Sequence, residues 1–339
     1  MMIRRSHIAK FADRIGVTRL ITSVTRTPGT LVLCYHRIGD AASTDYDSDT
    51  FSATADEFYE QISYLKTTYG IVTLDEVLAG PSSWGKGVRV LLTFDDAYLD
   101  NYTTAYPILQ SLGVQGTFLL PTAFVGSNLV PWWDSIAHMV ARSPSNLIRV
   151  PSLTDAVLDR SLDGPAALTR LILRLYKNTN NPNPSTMMAE VSESSGVPLP
   201  VFAGRRRFFS WEEAREMLRG GMAMGAHSHS HSLMGGLSAE RQKEEAIISA
   251  RHIADNLHFQ PRVFALPCGS SSPETAGVLA KAGYEMSLLT RRGLNCAARW
   301  DAMRVRRVQV GPDEPKESAR LRMALMAGLS NYPSLVETL

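Results

Sequence analysis

The sequence predicts an α/β fold built on a parallel sheet, open or closed into a barrel. Three observations carry the prediction. Short apolar runs rich in β-formers recur along most of the chain, helical patterns with recognisable caps separate them, and the reactive side chains fall where the runs end. Parallel sheets place their chemistry at the C-terminal ends of their strands. A length of 339 residues, with 44% hydrophobic and 20% charged side chains, allows one large domain or two ordinary ones around a sizeable core.

GTLVLCYHRIG (29–39) reads as a strand that runs into a loop near His36. SATADEFYEQISYLKTTYG (52–70) reads as a helix: Thr54 is placed to N-cap it, Glu57 completes a capping box and Gly70 closes it. IVTLDEVLAG gives a short strand and helix, and VRVLLTFDDAYLDN (88–101) a buried strand that finishes on Asp95 and Asp96. YPILQSLGVQGTFLLPTAFVG supplies a helix, a stop at Gly113 and a strand over 116–120. Further on, SWEEAREMLRGG is a helix, MAMGAHSHS a strand, SAERQKEEAIISARHIADNL a long helix and RVFALPCG a strand. SPETAGVLAKAGY is then a helix, MSLLT a strand, and AMRVRRVQV (302–310) the expected last strand. Residues 127–208 break the rhythm: NLVPWWDSIAHMV, AALTRLILRLYKN and the polar NTNNPNPST suggest a mostly helical insertion with a mobile segment. The predicted organisation is an N-terminal amphipathic helical segment (1–28), an α/β body in two parts (29–126 and 209–312) separated by the helical insertion (127–208), and a C-terminal helical tail (313–339).

A formal net charge of +2 and the lack of an aromatic-plus-basic cluster argue against a nucleic-acid partner. Cys34, Cys268 and Cys296 are odd in number, far apart and form no CxxC. That excludes a disulfide framework and a cysteine zinc site, and fits a reducing compartment. No run approaches the roughly 18 apolar residues of a spanning helix, and the basic N-terminus lacks the continuous apolar stretch of a standard signal peptide. The expectation is a cytoplasmic or membrane-peripheral protein. Ile8, Phe11 and Ile15 fall at helical spacing, with Lys10, Arg14 and Arg19 off that stripe; such a helix packs on the domain or makes a peripheral membrane contact. No feature of the sequence sets an oligomeric state.

GAHSHSHSLMGG (225–236) holds His227, His229 and His231. His227 and His231 share a face on a helix or a strand, whereas His229 joins them only on a regular strand. Imidazole suits zinc and related divalent ions, and two histidines with one carboxylate leave a position open, as a catalytic site requires. The plainer reading is a polar loop with helix-capping serines. Asp95 and Asp96 point oppositely if the strand continues, so both serve one site only where it breaks into DDAYLDN. One carboxylate then binds a metal while the other stays off it as a base; alternatively, Asp96 caps a helix starting near Ala97.

Together, Thr93-Phe94-Asp95-Asp96-Ala97, His227-Ser228-His229-Ser230-His231 and FALPCG (264–269) resemble the signature of the NodB-homology polysaccharide deacetylases, carbohydrate esterase family 4. That signature is T-F-D-D-G, then H-[ST]-x-x-H, then a strand ending in Pro with an aromatic and Gly after it. The resemblance implies an irregular (β/α) barrel with a mostly helical insertion, and hydrolysis of N-acetyl groups on an N-acetylhexosamine-containing glycan or lipid-linked sugar. It implies Asp95 as general base and Asp96, His227 and His231 as ligands of a divalent metal, Zn2+ first and Co2+, Ni2+ or Fe2+ next. The backbone N–H of Cys268, after Pro267, would face the oxyanion. The C-terminal Leu-x-His that usually supplies the acid has no counterpart after His258. LVLCYHRIG instead resembles the "YH" motif of deacetylases with permuted strand order, such as those acting on biofilm poly-N-acetylglucosamine, which makes His36 the expected acid.

Other departures are Ala97 for the usual Gly, Ala265 for the usual Arg and Cys268 for the aromatic. Arg307 is the expected replacement for the guanidinium, unless MRVRRVQV is merely a strand with solvated charges. Asp100 and Asn101 are candidates for sugar hydroxyls, or simply occupy the first turn of a helix. Trp132 and Trp133 are candidates for stacking on a pyranose, or anchors of the insertion. Two other functions stay open on sequence alone: an amidohydrolase or deformylase acting on a small amide or formamido-sugar, and a non-catalytic glycan-binding protein.

Overall fold

Twelve strands organise the described part of the chain. In order they are β1 (Gly29–Tyr35), β2 (Arg37–Ile38), β3 (Phe51–Ala53), β4 (Val88–Phe94), β5 (Thr117–Leu120), β6 (Leu147–Arg149), β7 (Val157–Asp159), β8 (Ala223–Ala226), β9 (Val263–Ala265), β10 (Met286–Leu288), β11 (Asn295–Cys296) and β12 (Val308–Gln309). The structure is a computed structural model that describes residues 28–44, 46–179, 183–201 and 206–311. The main sheet runs β10-β9-β8-β5-β4-β1-β11, with β12 also on β1. Every pairing in it is parallel except β1 with β11. β1 is buried along its whole length and β4 nearly so, which is why both read as continuous apolar runs rather than alternating ones.

Register does the positioning. β1 and β4 pair from Gly29 opposite Val88 to Tyr35 opposite Phe94, so His36 and Asp95 leave the sheet side by side. Leu120 pairs with Ala226 and Ala226 with Phe264, which sets His227 beside both neighbouring strand ends. The sheet curls, and one segment touches both of its edges: Val305 bridges Leu288 of β10, while Val308 and Gln309 pair with Leu33 and Cys34 of β1. This is an irregular barrel. The segment expected as a strand over 302–310 is strand only at β12, because it crosses from one partner to another and turns as a 3-10 helix over Ala302–Arg304.

Nine helices lie among the described residues: α1 (Ala55–Thr68), α2 (Leu74–Leu78), α3 (Tyr106–Leu112), α4 (Trp132–Arg142), α5 (Gly164–Asn178), α6 (Pro184–Ser195), α7 (Trp211–Arg219), α8 (Ala239–Leu257) and α9 (Thr275–Lys281). α1 starts at the expected Thr54–Glu57 capping box and buries Phe58, Ile62 and Leu65 at helical spacing. In the interrupting region, α4, α5, α6 and the β6–β7 hairpin share an apolar cluster that includes Ile136, Ile148, Leu158, Ile172 and Met187. Tyr98, Phe124 and Phe208 join it from the sheet side, so this core reaches the C-terminal ends of the strands. Asn183 of the polar stretch N-caps α6, its side chain accepting from Ser185 and Thr186 N–H. The expected N-terminal helix with Ile8, Phe11 and Ile15, and the tail over 313–339, lie outside the described residues. No described helix is long and apolar enough to cross a membrane.

Candidate active site

β4 ends at Phe94, and the next residues turn sharply. Asp95 keeps the sheet register, donating its N–H to Tyr35 O at 2.9 Å. Asp96 and Ala97 then take left-handed backbone, φ 73° and 58°, at about 1–2 kcal/mol each for residues with a Cβ. This break swings the Asp96 carboxylate to the same side as that of Asp95, and Asp96 caps no helix. β8 stops at Ala226, one residue before the histidines; Ser228 and His231 are also left-handed, at φ 62° and 58°. The expected strand therefore ends earlier, and His229 turns away to Thr122 Oγ1 at 2.9 Å and to the His252 ring.

Asp96, His227 and His231 meet in the resulting pocket, all buried. Asp96 Oδ1 stands 3.5 Å from His227 Nε2 and 3.3 Å from His231 Nε2, yet it has no hydrogen-bond partner among the described residues. A buried, unpartnered carboxylate oxygen is costly unless something else satisfies it. Ligand atoms around one tetrahedral ion with bonds of roughly 2.0–2.1 Å stand about 3.4 Å apart. The donor set fits a divalent cation. His227 Nδ1 bonds the Ala265 carbonyl at 2.9 Å, which leaves Nε2 bare toward the pocket. Burial opposes charge on both His227 and Asp96, but the two aspartates push His227 upward, and the imidazoles hold Asp96 well below the usual carboxylate range. The field in this pocket draws positive charge.

Asp95 is kept off that set. Arg307, fully buried, grips it with Nη1 on Oδ1 at 2.7 Å and Nη2 on Oδ2 at 2.8 Å, while its Nε donates to Leu289 O. Burial alone would raise Asp95, but the guanidinium and then His227 hold it down to about 2. Cys34 Sγ lies 3.5 Å from Asp95 Oδ2, its thiol pushed well up by burial. His36 lies beside them, with a ring nitrogen within 4.8 Å of both Cys34 Sγ and an Asp95 carboxylate oxygen. Its backbone is clamped: N–H to Ser52 Oγ at 3.0 Å, and C=O from Asn101 Nδ2 at 2.7 Å. Cys268 has φ 53°, and no acceptor among the described residues takes its N–H.

His36, Asp95, Asp96, His227, His231 and Cys268 line a cavity of about 460 Å³, together with Trp132, Trp133 and residues of α5. Two expectations need correcting. Asp100 does not face the cavity: it accepts from Arg37 Nε at 2.8 Å and Ile38 N–H at 3.0 Å, so it and Asn101 fix the 36–38 backbone instead of meeting a sugar. Pro267 is buried behind Cys268, which alone of the two reaches the cavity. Trp132 and Trp133 do line it, but each is more than nine-tenths buried, and Trp133 packs on the His231 ring at 4.4 Å between centroids. Their faces pack toward the His231 ring.

The network behind them was not legible from sequence. Asp134, wholly buried, accepts from Tyr98 OH at 2.9 Å, from Asp47 N–H at 3.1 Å and from Arg207, and Trp133 Nε1 donates to Tyr98 OH at 2.8 Å. It ties α4 to the loop after the aspartates. Glu245 of α8 is a second unforeseen part: it accepts from His229 N–H at 2.8 Å, Ser230 N–H at 2.9 Å and Ser230 Oγ at 2.6 Å. Cys34 could have been found, since it shares a strand face with His36.

The family model described as polysaccharide deacetylase matches residues 85–147 and 163–287. The Bacillus subtilis (strain 168) protein YxkH is 21% identical over 224 residues, covering 66% of this chain and 52% of its own. The poly-beta-1,6-N-acetyl-D-glucosamine N-deacetylase of Escherichia coli (strain K12) is 24% identical over 284 residues, covering 81% of this chain and 36% of its own. The chain thus spans about half the length of the first and about a third of the second. In structure, IcaB from Ammonifex degensii superposes with a TM-score of 0.56 at 20% identity, covering 89% of this chain and 98% of that one; the likeness is one of fold.

Proposed function

The chain belongs to the polysaccharide deacetylase family, and from that premise we propose that it is a metal-dependent hydrolase removing N-acetyl groups from an N-acetylhexosamine-containing glycan or lipid-linked sugar. The observation that carries the proposal is Asp96 Oδ1, buried, unpartnered and 3.3–3.5 Å from two imidazole nitrogens. Asp96, His227 and His231 would hold a divalent cation, zinc first among those the donors suit. Bound there, such an ion supplies Lewis acidity, acidifying a water and polarising an acyl carbonyl.

The chain's own groups do the rest. Asp95 is ionised at every working pH and takes the proton of the attacking water at its carboxylate. Arg307 occupies one lone pair on each oxygen, which fixes the carboxylate plane and leaves Oδ2, 3.7 Å from His227 Nε2, open to the pocket. The Cys268 N–H, at the cavity wall and without an acceptor among the described residues, would be the donor for the developing oxyanion, in place before the charge appears. His36 gives a proton to the departing amine, which is too poor a leaving group as an anion. Trp133 and the Asp134 network exclude water behind His231 and keep that ring in position.

The Escherichia coli relative's name makes β-1,6-linked N-acetylglucosamine oligomers the first substrate to test. Acetate release from these, from lipid-linked N-acetylglucosamine and from a chromogenic acetyl ester is measured on metal-loaded protein. Turnover of at least one, falling by roughly a thousandfold or more in Asp95→Asn, is expected. Metal-loaded protein inert on all three contradicts the proposal.

A further inference from the structure

Helix α5 lays three cations along one wall of the catalytic cavity. Arg170, Arg174 and Lys177 follow at i, i+4 and i+7, a single helical face, and all three line the cavity that Asp96, His227 and His231 also line. The other face of α5, with Leu168, Ile172 and Tyr176, is buried in the insertion's own core. The helix is therefore anchored from behind and presents its charges inward.

The acids in the same space do not match them. Asp49 accepts from Arg170 at 3.2 Å, but Arg174 has no carboxylate partner among the described residues. Lys177 faces the buried Cys268 thiol and Asp47. Burial and then Asp134 push Asp47 up to about 7, so it neutralises Lys177 only in part. Asp95 is taken by Arg307, and Asp96 faces His227 and His231. Arg174 thus opens into the cavity unneutralised, with Lys177 about one helical turn on and only partly balanced. A neutral N-acetylated glycan has no group that calls for them, whereas an ammonium and a guanidinium at that spacing suit the oxygens of one anion.

We propose that this wall of α5 is an anion subsite, and that the N-acylated sugar taken by the cavity carries a phosphate ester or a carboxylate close to the amide that is cut; the proposal rests on the hydrolase reading for the amide, but not for the anion. Binding is measured by calorimetry on the full, metal-loaded chain in the Asp95→Asn background, so that no ligand is consumed. Three probes are used: UDP-N-acetylglucosamine, a glucuronate–N-acetylglucosamine disaccharide, and the neutral N-acetylglucosamine trimer.

At about 50 mM salt at least one anionic probe should bind roughly tenfold or more tighter than the trimer, and the advantage should shrink severalfold at about 500 mM. It should vanish in Arg174→Glu/Lys177→Glu and fall sharply in the gentler Arg174→Gln/Lys177→Gln. Arg241→Glu, on the exposed face of α8, should leave it unchanged. A preference for the diphosphate sugar or for the uronate supports the subsite and identifies its anion. Equal affinity for all three probes, or an advantage that survives both double variants, overturns it. Acetate release from neutral substrates without any anion preference would end this proposal and leave the hydrolase reading standing, and anion preference in a chain that releases no acetate would do the reverse.

Discussion

At the scale of single residues, two carboxylates respond to pH in opposite senses. Asp95 is held at about 2 against an ordinary 3.8. Its ionised form is favoured by folding, so it contributes of the order of 2 kcal/mol above pH 4, lost as pH falls toward 2. Arg307→Met leaves that carboxylate buried and unpaired and should cost about 3–5 kcal/mol at pH 7. Urea unfolding should show the deficit narrowing as pH approaches 3, where a protonated Asp95 needs no guanidinium. Asp47 is shifted the other way, from 3.8 to about 7. Its folded state prefers the proton, so stability is full below pH 4 and declines as pH rises through 7. Asp47→Asn keeps the capping oxygen and removes the titration; it should match the parent near pH 4 and exceed it by about 4 kcal/mol at pH 8. The carboxylate pair at 95–96 was legible from its place at the end of an apolar run. Arg307 was legible only as a candidate, because in MRVRRVQV three arginines look alike until the fold shows which one is wholly buried.

At the scale of elements, the site is made where strands stop. The β4 and β8 ends were visible in sequence because their apolar runs finish on polar clusters, and the Thr54–Glu57 box because capping chemistry is local. The long-range supports were not visible. Glu244 and Glu245 are neighbours on α8, yet Glu244 is exposed and Glu245 is 7% exposed beneath the histidine loop. Successive helix positions differ by about 100° in direction, and only the packing says which one faces in. Glu245 is a positioning residue: in Glu245→Ala the His229 and Ser230 N–H groups lose their acceptor and the loop carrying His231 loosens. Metal affinity in a competitive chelator titration should fall about 10–100-fold, with partial recovery in Glu245→Gln, while the chain keeps its far-UV spectrum. Trp132 and Trp133 stayed ambiguous for a related reason. An exposed sugar platform and a buried buttress carry the same residue type, and the deciding feature, the Asp134 network, joins residues that are far apart in the chain.

At the scale of the whole molecule, the fold is a curled sheet fastened twice. One fastening is the 305–310 segment, which touches β10 and β1 and carries Arg307 into the centre; the other is the proposed ion, which joins the β4 end to the loop after β8. Strand–helix alternation was enough to read an α/β fold on a parallel sheet, and the barrel came from the resemblance the motifs carry; closure was not readable from the residues, since a segment paired for two residues has no periodicity to read. If the ion is a fastening, saturating metal should raise stability by about 2.7 kcal/mol at 100 times its Kd, and a chelator should lower Tm accordingly. The most direct test of the central claim is the metal content of three purified chains, counted by mass spectrometry under native conditions. The account predicts one divalent ion in the parent, one in Asp95→Asn and none in His227→Ala. A parent that takes up no ion from zinc or cobalt, or a His227→Ala chain that holds it as tightly as the parent, would contradict it.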